Sequence, residues 1–180
     1  MSRPLGAYIG LGSNLNHPRR QLRSALAALA TLPHSRVLGS SRLYRSPPLG
    51  PPGQPDYLNG VALLETYLPP LALLEQLQRI EQEHQRVRGV RWGARTLDLD
   101  LLLYGEQRLH TPRLTLPHPA IGERPFVLLP LCELAGSELP IPGVGASGAL
   151  LAALAKLPRE APNHPENCIP DEEDHPTDTD

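Results

Sequence analysis

At 180 residues, with 40% hydrophobic and 20% charged side chains, the chain has the size of one ordinary globular domain, and no apolar run approaches the roughly 20 residues a membrane-spanning helix needs. Two cysteines, Cys132 and Cys168, are too few and too far apart for a disulfide framework or a zinc site, and nothing in M-S-R-P-L-G-A-Y-I-G reads as an export signal, so a cytoplasmic protein is expected. The net charge of −2 hides a division: beyond Pro158 eight acidic residues stand against Arg159 alone, a net of −7, which leaves +5 on the remainder, with Lys156 as its only lysine. A basic, arginine-dominated body suits a small anionic substrate, because guanidinium forks grip phosphate in two places. Nucleic acid would favour more aromatic platforms than five Tyr, one Trp and one Phe supply. The expected protein is a monomer that works on small molecules, with neither nucleic acid nor membrane as partner.

In chain order, Ala7 to Leu11 is a short apolar run ending in G-S-N, and Pro18 then opens a helix whose apolar series is Leu22, Ala25/Leu26, Leu29 and Leu32. Strands are predicted over Arg36 to Tyr44 and Tyr57 to Thr66, joined by the proline-rich surface loop S-P-P-L-G-P-P-G-Q-P-D. Pro69 and Pro70 open a second helix with core face Leu73, Leu74, Leu77 and Ile80, with Gln78 and Glu81 on another face, ending near His84. Residues 85–95 show no periodicity, and with four arginines and two glycines they read as a mobile basic loop. A strand over Thr96 to Tyr104 follows, then a polar loop to His118, a helix over Phe126 to Leu134 and a short helix over Ser147 to Lys156. Two strand-helix-strand halves imply an α+β, ferredoxin-like sandwich with helices covering a mostly antiparallel sheet. The domain is expected over residues 1–157, with 158–180 an acidic, proline-rich, disordered tail.

The strongest chemical signal is R-W-G-A-R-T-L-D-L-D, residues 91–100. Strand alternation puts Asp98 and Asp100 on one face, with Cα atoms about 6.5 to 7 Å apart, and Leu97, Leu99, Leu101 and Leu103 on the other. Aspartate is poorly suited to strands, so two on one face beside an arginine loop point to magnesium ions holding a polyphosphate, rather than to a merely solvated surface. Arg86 and Arg95 would stabilise charge on the transferring group. Trp92 either packs on a nucleotide base or anchors the loop. No G-x-x-x-x-G-K-[ST] phosphate loop exists, and the G-x-G-x-x-G of Gly143, Gly145 and Gly148 follows L-P-I-P rather than a strand, so it reads as a turn.

Five ordered motifs, Y-I-G-L-G-S-N, Y-R-S-P-P-L-G, Q-P-D-Y-L-N, R-W-G-A-R-T-L-D-L-D and L-T-L-P-H-P with E-R-P-F-V-L, resemble the 6-hydroxymethyl-7,8-dihydropterin pyrophosphokinases of folate biosynthesis, from Ala7 to about Leu134. The resemblance implies pyrophosphoryl transfer from ATP to the pterin alcohol with release of AMP, with Asp98 and Asp100 holding two Mg2+ ions and Arg86 and Arg95 assisting transfer. It implies a pterin slot between Tyr57 and Phe126, with Asn59 on the ring edge and Ser46, Pro47 and Leu49 completing it. It places Gln78, Glu81, Arg88, Trp92, Leu101, Arg113, Thr115, His118 and Arg124 around ATP. The basic loop is one residue short between Arg88 and Arg91 by comparison with that pattern, and the acidic tail matches nothing in it.

Overall fold

A computed structural model describes residues 2–48, 52–84 and 96–155. Nine strands and four helices occur among them: β1 (Leu5–Ser13), α1 (Pro18–Ala30), β2 (Ser35–Ser40), β3 (Tyr44–Ser46), β4 (Tyr57–Thr66), α2 (Pro70–Glu83), β5 (Asp98–Tyr104), β6 (Leu109–His110), β7 (Thr115–Leu116), α3 (Pro125–Ala135), β8 (Pro140–Ile141), β9 (Gly145–Ala146) and α4 (Ser147–Ala155). The main sheet runs β2-β4-β1-β5 with every neighbour antiparallel, and β3 also pairs with β4. Each strand-helix-strand unit has a strand of the other inserted between its own, the expected ferredoxin-like arrangement.

Helices cover both faces. Beneath one face, Leu22, Ala25 and Leu29 of α1 and Leu73, Leu77 and Ile80 of α2 meet Ala7, Ile9, Leu11, Leu58, Ala62, Leu64, Leu97, Leu99 and Leu101 of the sheet side. On the other face, Leu128 and Leu131 of α3, with Leu150, Leu151 and Leu154 of α4, pack over Val61, Leu102 and Leu103. Each fully buried leucine contributes roughly 1.5–3 kcal/mol by leaving water, so both helix pairs are held by their apolar stripes. Prolines at the first turn of α1, α2 and α3 start those helices where the missing N–H is not needed.

Three details differ from the sequence reading. The strand expected over Arg36 to Tyr44 is broken into β2 and β3, which pair with consecutive stretches of β4. At the break the backbone N–H of Ser41 still donates to Val61 O (2.8 Å), but the return bond goes from Val61 N–H to the Ser41 side-chain oxygen (2.9 Å), so the hydroxyl replaces a ladder carbonyl. In β5 the partner of Tyr8 is Leu103 and that of Ile9 is Leu101, which leaves Leu102 as a bulge. The extra residue shifts the alternation by one, so Leu103 joins Leu102 on the α3 face instead of sharing a face with Leu97, Leu99 and Leu101. The polar loop before His118 contains the β6–β7 hairpin. The basic loop 85–95, Lys156 and the tail lie outside the described residues.

The G-x-G-x-x-G stretch is the β8–β9 turn, as expected, and runs into α4. Gly148 donates its backbone N–H to Ser137 O at 2.9 Å, and a Cβ on it would stand 2.5 Å from Ser137 Cβ. Helix propensity alone would make Gly148→Ala stabilising by about 1 kcal/mol, but the collision should win and destabilise by about 1–3 kcal/mol. Urea unfolding decides: a gain in stability would mean that α4 does not dock so closely.

Candidate active site

Register places the chemistry. Gly12 of β1 lies opposite Asn59 on β4 and opposite Asp98 on β5, while Gly10 lies opposite Val61 and Asp100. With strands about 4.8 Å apart, Asn59 and Asp98 flank β1 at a separation of about 10 Å. The two glycines keep the floor between them open: a Cβ at Gly12 would sit 3.3 Å from Asn59 Oδ1, and one at Gly10 would sit 3.4 Å from Leu102. Above that floor is a cavity of about 240 Å³ lined by Gly10, Gly12, Ser46, Pro47, Tyr57, Asn59, Asp98, Asp100, Leu102, His118, Arg124, Phe126 and neighbours.

One end suits a flat polar ring. Asn59, 7% exposed, donates from Nδ2 to Ser46 Oγ at 2.7 Å and more weakly to Tyr44 O at 3.4 Å. A backbone carbonyl only accepts, so the amide nitrogen must face Tyr44, and Oδ1 is the atom left towards Gly12 and the cavity. Among the described residues no hydrogen bond reaches Oδ1. Tyr57 and Phe126 supply aromatic surface, and the Arg124 guanidinium lies over the Phe126 ring at 5.8 Å from its centre.

The other end suits anions and cations. Asp98 and Asp100 share the cavity face, as strand alternation requires. His118 is fastened by its backbone N–H to Leu102 O at 2.9 Å, and its Nδ1 accepts the Ala120 N–H at 3.2 Å. Nδ1 is therefore unprotonated in the neutral ring and Nε2 carries the hydrogen. Burial and then the nearby positive Arg124 push the His118 pKa below its ordinary 6.5, against the smaller opposite pull of Asp98. A neutral N–H donor results.

The remaining expected residues divide. Gln78 and Glu81 lie on α2, with Glu81 3% exposed, and Arg113 and Thr115 lie on and before β7. Arg113 ties that hairpin to α2 through Glu75 at 3.1 Å, and both α2 and β7 pack against β5. This set borders the carboxylate strand and does not line the cavity. The Leu101 side chain is in the core under α1 and α2, on the opposite face from Asp100. Leu49, Arg86, Arg88, Trp92 and Arg95 lie outside the described residues.

Two residues went unassigned in the sequence reading. Ser13, fully buried, donates its hydroxyl to the carbonyl of Thr96, two residues before Asp98. Asn14 donates to Pro55 O at 3.0 Å, two residues before Tyr57. The end of β1 thus fixes where both site strands begin. G-S-N was legible as a turn, but its partners 83 and 41 positions away were not.

A family model described as 7,8-dihydro-6-hydroxymethylpterin-pyrophosphokinase matches residues 8–136. The chain belongs to that family. Members called 2-amino-4-hydroxy-6-hydroxymethyldihydropteridine pyrophosphokinase include one from Haemophilus influenzae, 54% identical over 136 residues (76% of this chain, 84% of the relative). Another, from Pseudomonas aeruginosa, is 53% identical over 146 residues (81% and 90%). The crystal structure of Plasmodium falciparum HPPK-DHPS with pteroate is similar in fold, with a TM-score of 0.67 at 13% identity. That similarity covers 85% of this pyrophosphokinase-family chain and only 43% of the Plasmodium chain. No described helix is long and apolar enough to cross a membrane.

The depressed His118 pKa has a measurable consequence. The unfolded chain takes up a proton on this residue near its ordinary 6.5 and the folded protein only at lower pH, so stability falls as pH drops through and below that value. Thermal melts between about pH 7.5 and about pH 5 should show a shallower loss in His118→Gln than in the parent. Parallel curves would contradict the neutral, buried assignment.

Proposed function

We propose that this chain transfers the pyrophosphoryl group of ATP to the hydroxymethyl oxygen of 6-hydroxymethyl-7,8-dihydropterin, giving the pterin diphosphate and AMP in tetrahydrofolate synthesis. Family membership supports the reaction, and the observation that carries the assignment of ends is the two-ended cavity. Asn59 Oδ1 meets the N–H edge of a pterin, Ser46 and Pro47 bound it, and Tyr57 and Phe126 offer the stacking faces. Asp98, Asp100, His118 and Arg124 stand where the polyphosphate would lie. Leu49 is proposed to complete the pterin slot.

Two Mg2+ ions are proposed as cofactors. The donor set fits them: Asp98 and Asp100 offer hard carboxylate oxygens on one face of the cavity. Bound there, magnesium would neutralise charge on the ATP phosphates.

The pterin oxygen attacks the β-phosphorus in line, the new O–P bond forms as the bond to the α-phosphate oxygen breaks, AMP takes the electron pair, and the hydroxyl proton is released. Holding the two substrates at opposite ends of one floor converts the encounter into an intramolecular one. His118 offers its Nε2–H to a phosphate oxygen without adding charge. Arg86 and Arg95 are proposed to stabilise charge on the transferring group, and Gln78, Glu81, Arg88, Trp92, Arg113, Thr115 and Arg124 to bind ATP, with Leu101 contributing only its backbone because its side chain is in the core.

Product analysis tests the reading, since AMP means pyrophosphoryl transfer and ADP means an ordinary kinase. Asp98→Asn and Asp100→Asn should each lower kcat by at least about 100-fold, and an Asp100→Asn enzyme near parental activity would remove the carboxylates from the metal site. Phe126→Ala should raise the pterin KM by about ten-fold or more while leaving the KM for ATP nearly unchanged, and an equal rise in both would argue against stacking.

A further inference from the structure

We propose that Glu133, an α3 residue that lines no part of the cavity, is a positioning residue for the pterin end of the site, a role that rests on the reading of that end given above. The two sides of that end come from different layers. Ser46 and Asn59 belong to β3 and β4, whereas Phe126 belongs to α3. Strand β3 is three residues long and, among the described residues, pairs only with β4, so its own ladder gives it little hold. Glu133 supplies the link. Its Oε1 accepts from Arg42 Nε at 2.8 Å and from the Arg42 backbone N–H at 3.2 Å, and its Oε2 accepts from the Tyr44 hydroxyl at 2.6 Å.

Both carboxylate oxygens are therefore spent on one short stretch of chain, from the lead-in to β3 to its first residue. The bonds are charge-assisted, and Tyr44, whose hydroxyl donates one of them, is 5% exposed. Burial, followed by the Glu133 carboxylate, pushes the Tyr44 hydroxyl up to about 12, so it remains a donor throughout the working range. The Arg42 side chain is itself 63% exposed, so its ion pair with Glu133, like the Arg36–Glu65 pair at 2.9 Å, contributes little alone, and the hold on β3 rests on the Arg42 backbone N–H and the Tyr44 hydroxyl.

The consequence passes through Tyr44. Its carbonyl faces Asn59 Nδ2, and the two residues are register partners, so the backbone at Tyr44 decides which atom of the Asn59 amide turns to the cavity. Ser46, two residues on, holds the same amide nitrogen. Removing the clamp lets β3 drift from α3, which loosens the Asn59 acceptor and widens the gap to Phe126. ATP binding on the β5 side should be spared.

Steady-state and binding measurements on the full chain test this. Glu133→Ala should raise the KM for 6-hydroxymethyl-7,8-dihydropterin about ten-fold, with the KM for ATP within about two-fold of the parent, and Tyr44→Phe should give part of that effect. A double-mutant cycle separates positioning from general weakening: once Asn59→Ala is present, Glu133→Ala should cost little further pterin affinity in calorimetry. Glu133→Gln, which keeps the shape and one acceptor, should recover part of the pterin affinity. Unchanged pterin affinity in folded Glu133→Ala, additive losses in the cycle, or equal rises in both KM values would overturn the proposal. If Glu133→Ala does not fold, the same measurements on Tyr44→Phe decide it by the same outcomes. Should the parent protein itself neither bind the pterin nor form AMP, it is the reading of the cavity that fails, and the two failures are thereby told apart.

Discussion

The arrangement depends on β1 being paired along both edges while presenting glycine on one face and apolar side chains on the other. Ala7, Ile9 and Leu11 anchor the sheet to α1 and α2, and Gly10 and Gly12 leave the opposite face bare. Because Gly12 is register partner to both Asn59 and Asp98, an amide side chain and a carboxylate are set about 10 Å apart by backbone hydrogen bonds, not by loops. A side chain at either glycine would meet Asn59 or Leu102 and begin to close the floor. Rigid strands thus carry the groups whose spacing matters.

The bulge at Leu102 serves the same layout. Upstream of it Asp98 and Asp100 face the cavity while Leu99 and Leu101 enter the core, and downstream Leu103 is turned to the α3 side and Tyr104 back to the α1–α2 side. One strand therefore supplies carboxylates at its start and apolar cover for α3 at its end. Without the extra residue, strict alternation would put Leu103 in the first core and weaken the seat of α3, the helix that brings Phe126 and Arg124 to the cavity.

The two ends of the cavity are tuned by opposite means. At the end bounded by Tyr57 and Phe126 a neutral amide is held by Ser46 and Tyr44, so what that end offers depends on which way an uncharged group points. At the carboxylate end burial and then Arg124 push the His118 pKa down, so the ring stands neutral beside Asp98, Asp100 and Arg124. Beneath both, Ser13 and Asn14 tie the end of β1 to the residues that lead into β5 and β4. The turn is a common foundation for two strands that are distant in the chain.

The sequence by itself determined what local periodicity and residue chemistry can determine: the shared face of Asp98 and Asp100, the limits of β4 at Tyr57 and Thr66, the helix faces of Leu22, Ala25, Leu29 and of Leu73, Leu77, Ile80, and the family motifs. These follow from geometry repeating over two to four residues, and they survive folding because burial rewards the same pattern. Only the tertiary structure decided the face of Leu103, the break between β2 and β3, the partners of Ser13 and Asn14, and the grip of Glu133 on Arg42 and Tyr44. Each of those turns on strand register or on a contact with a distant part of the chain, up to 91 residues away for Glu133, and neither is written in any short stretch of sequence. The alternation of β5 was readable to Leu101 and failed at Leu102 for that reason: a bulge is a relation between two strands, and one strand alone does not contain it.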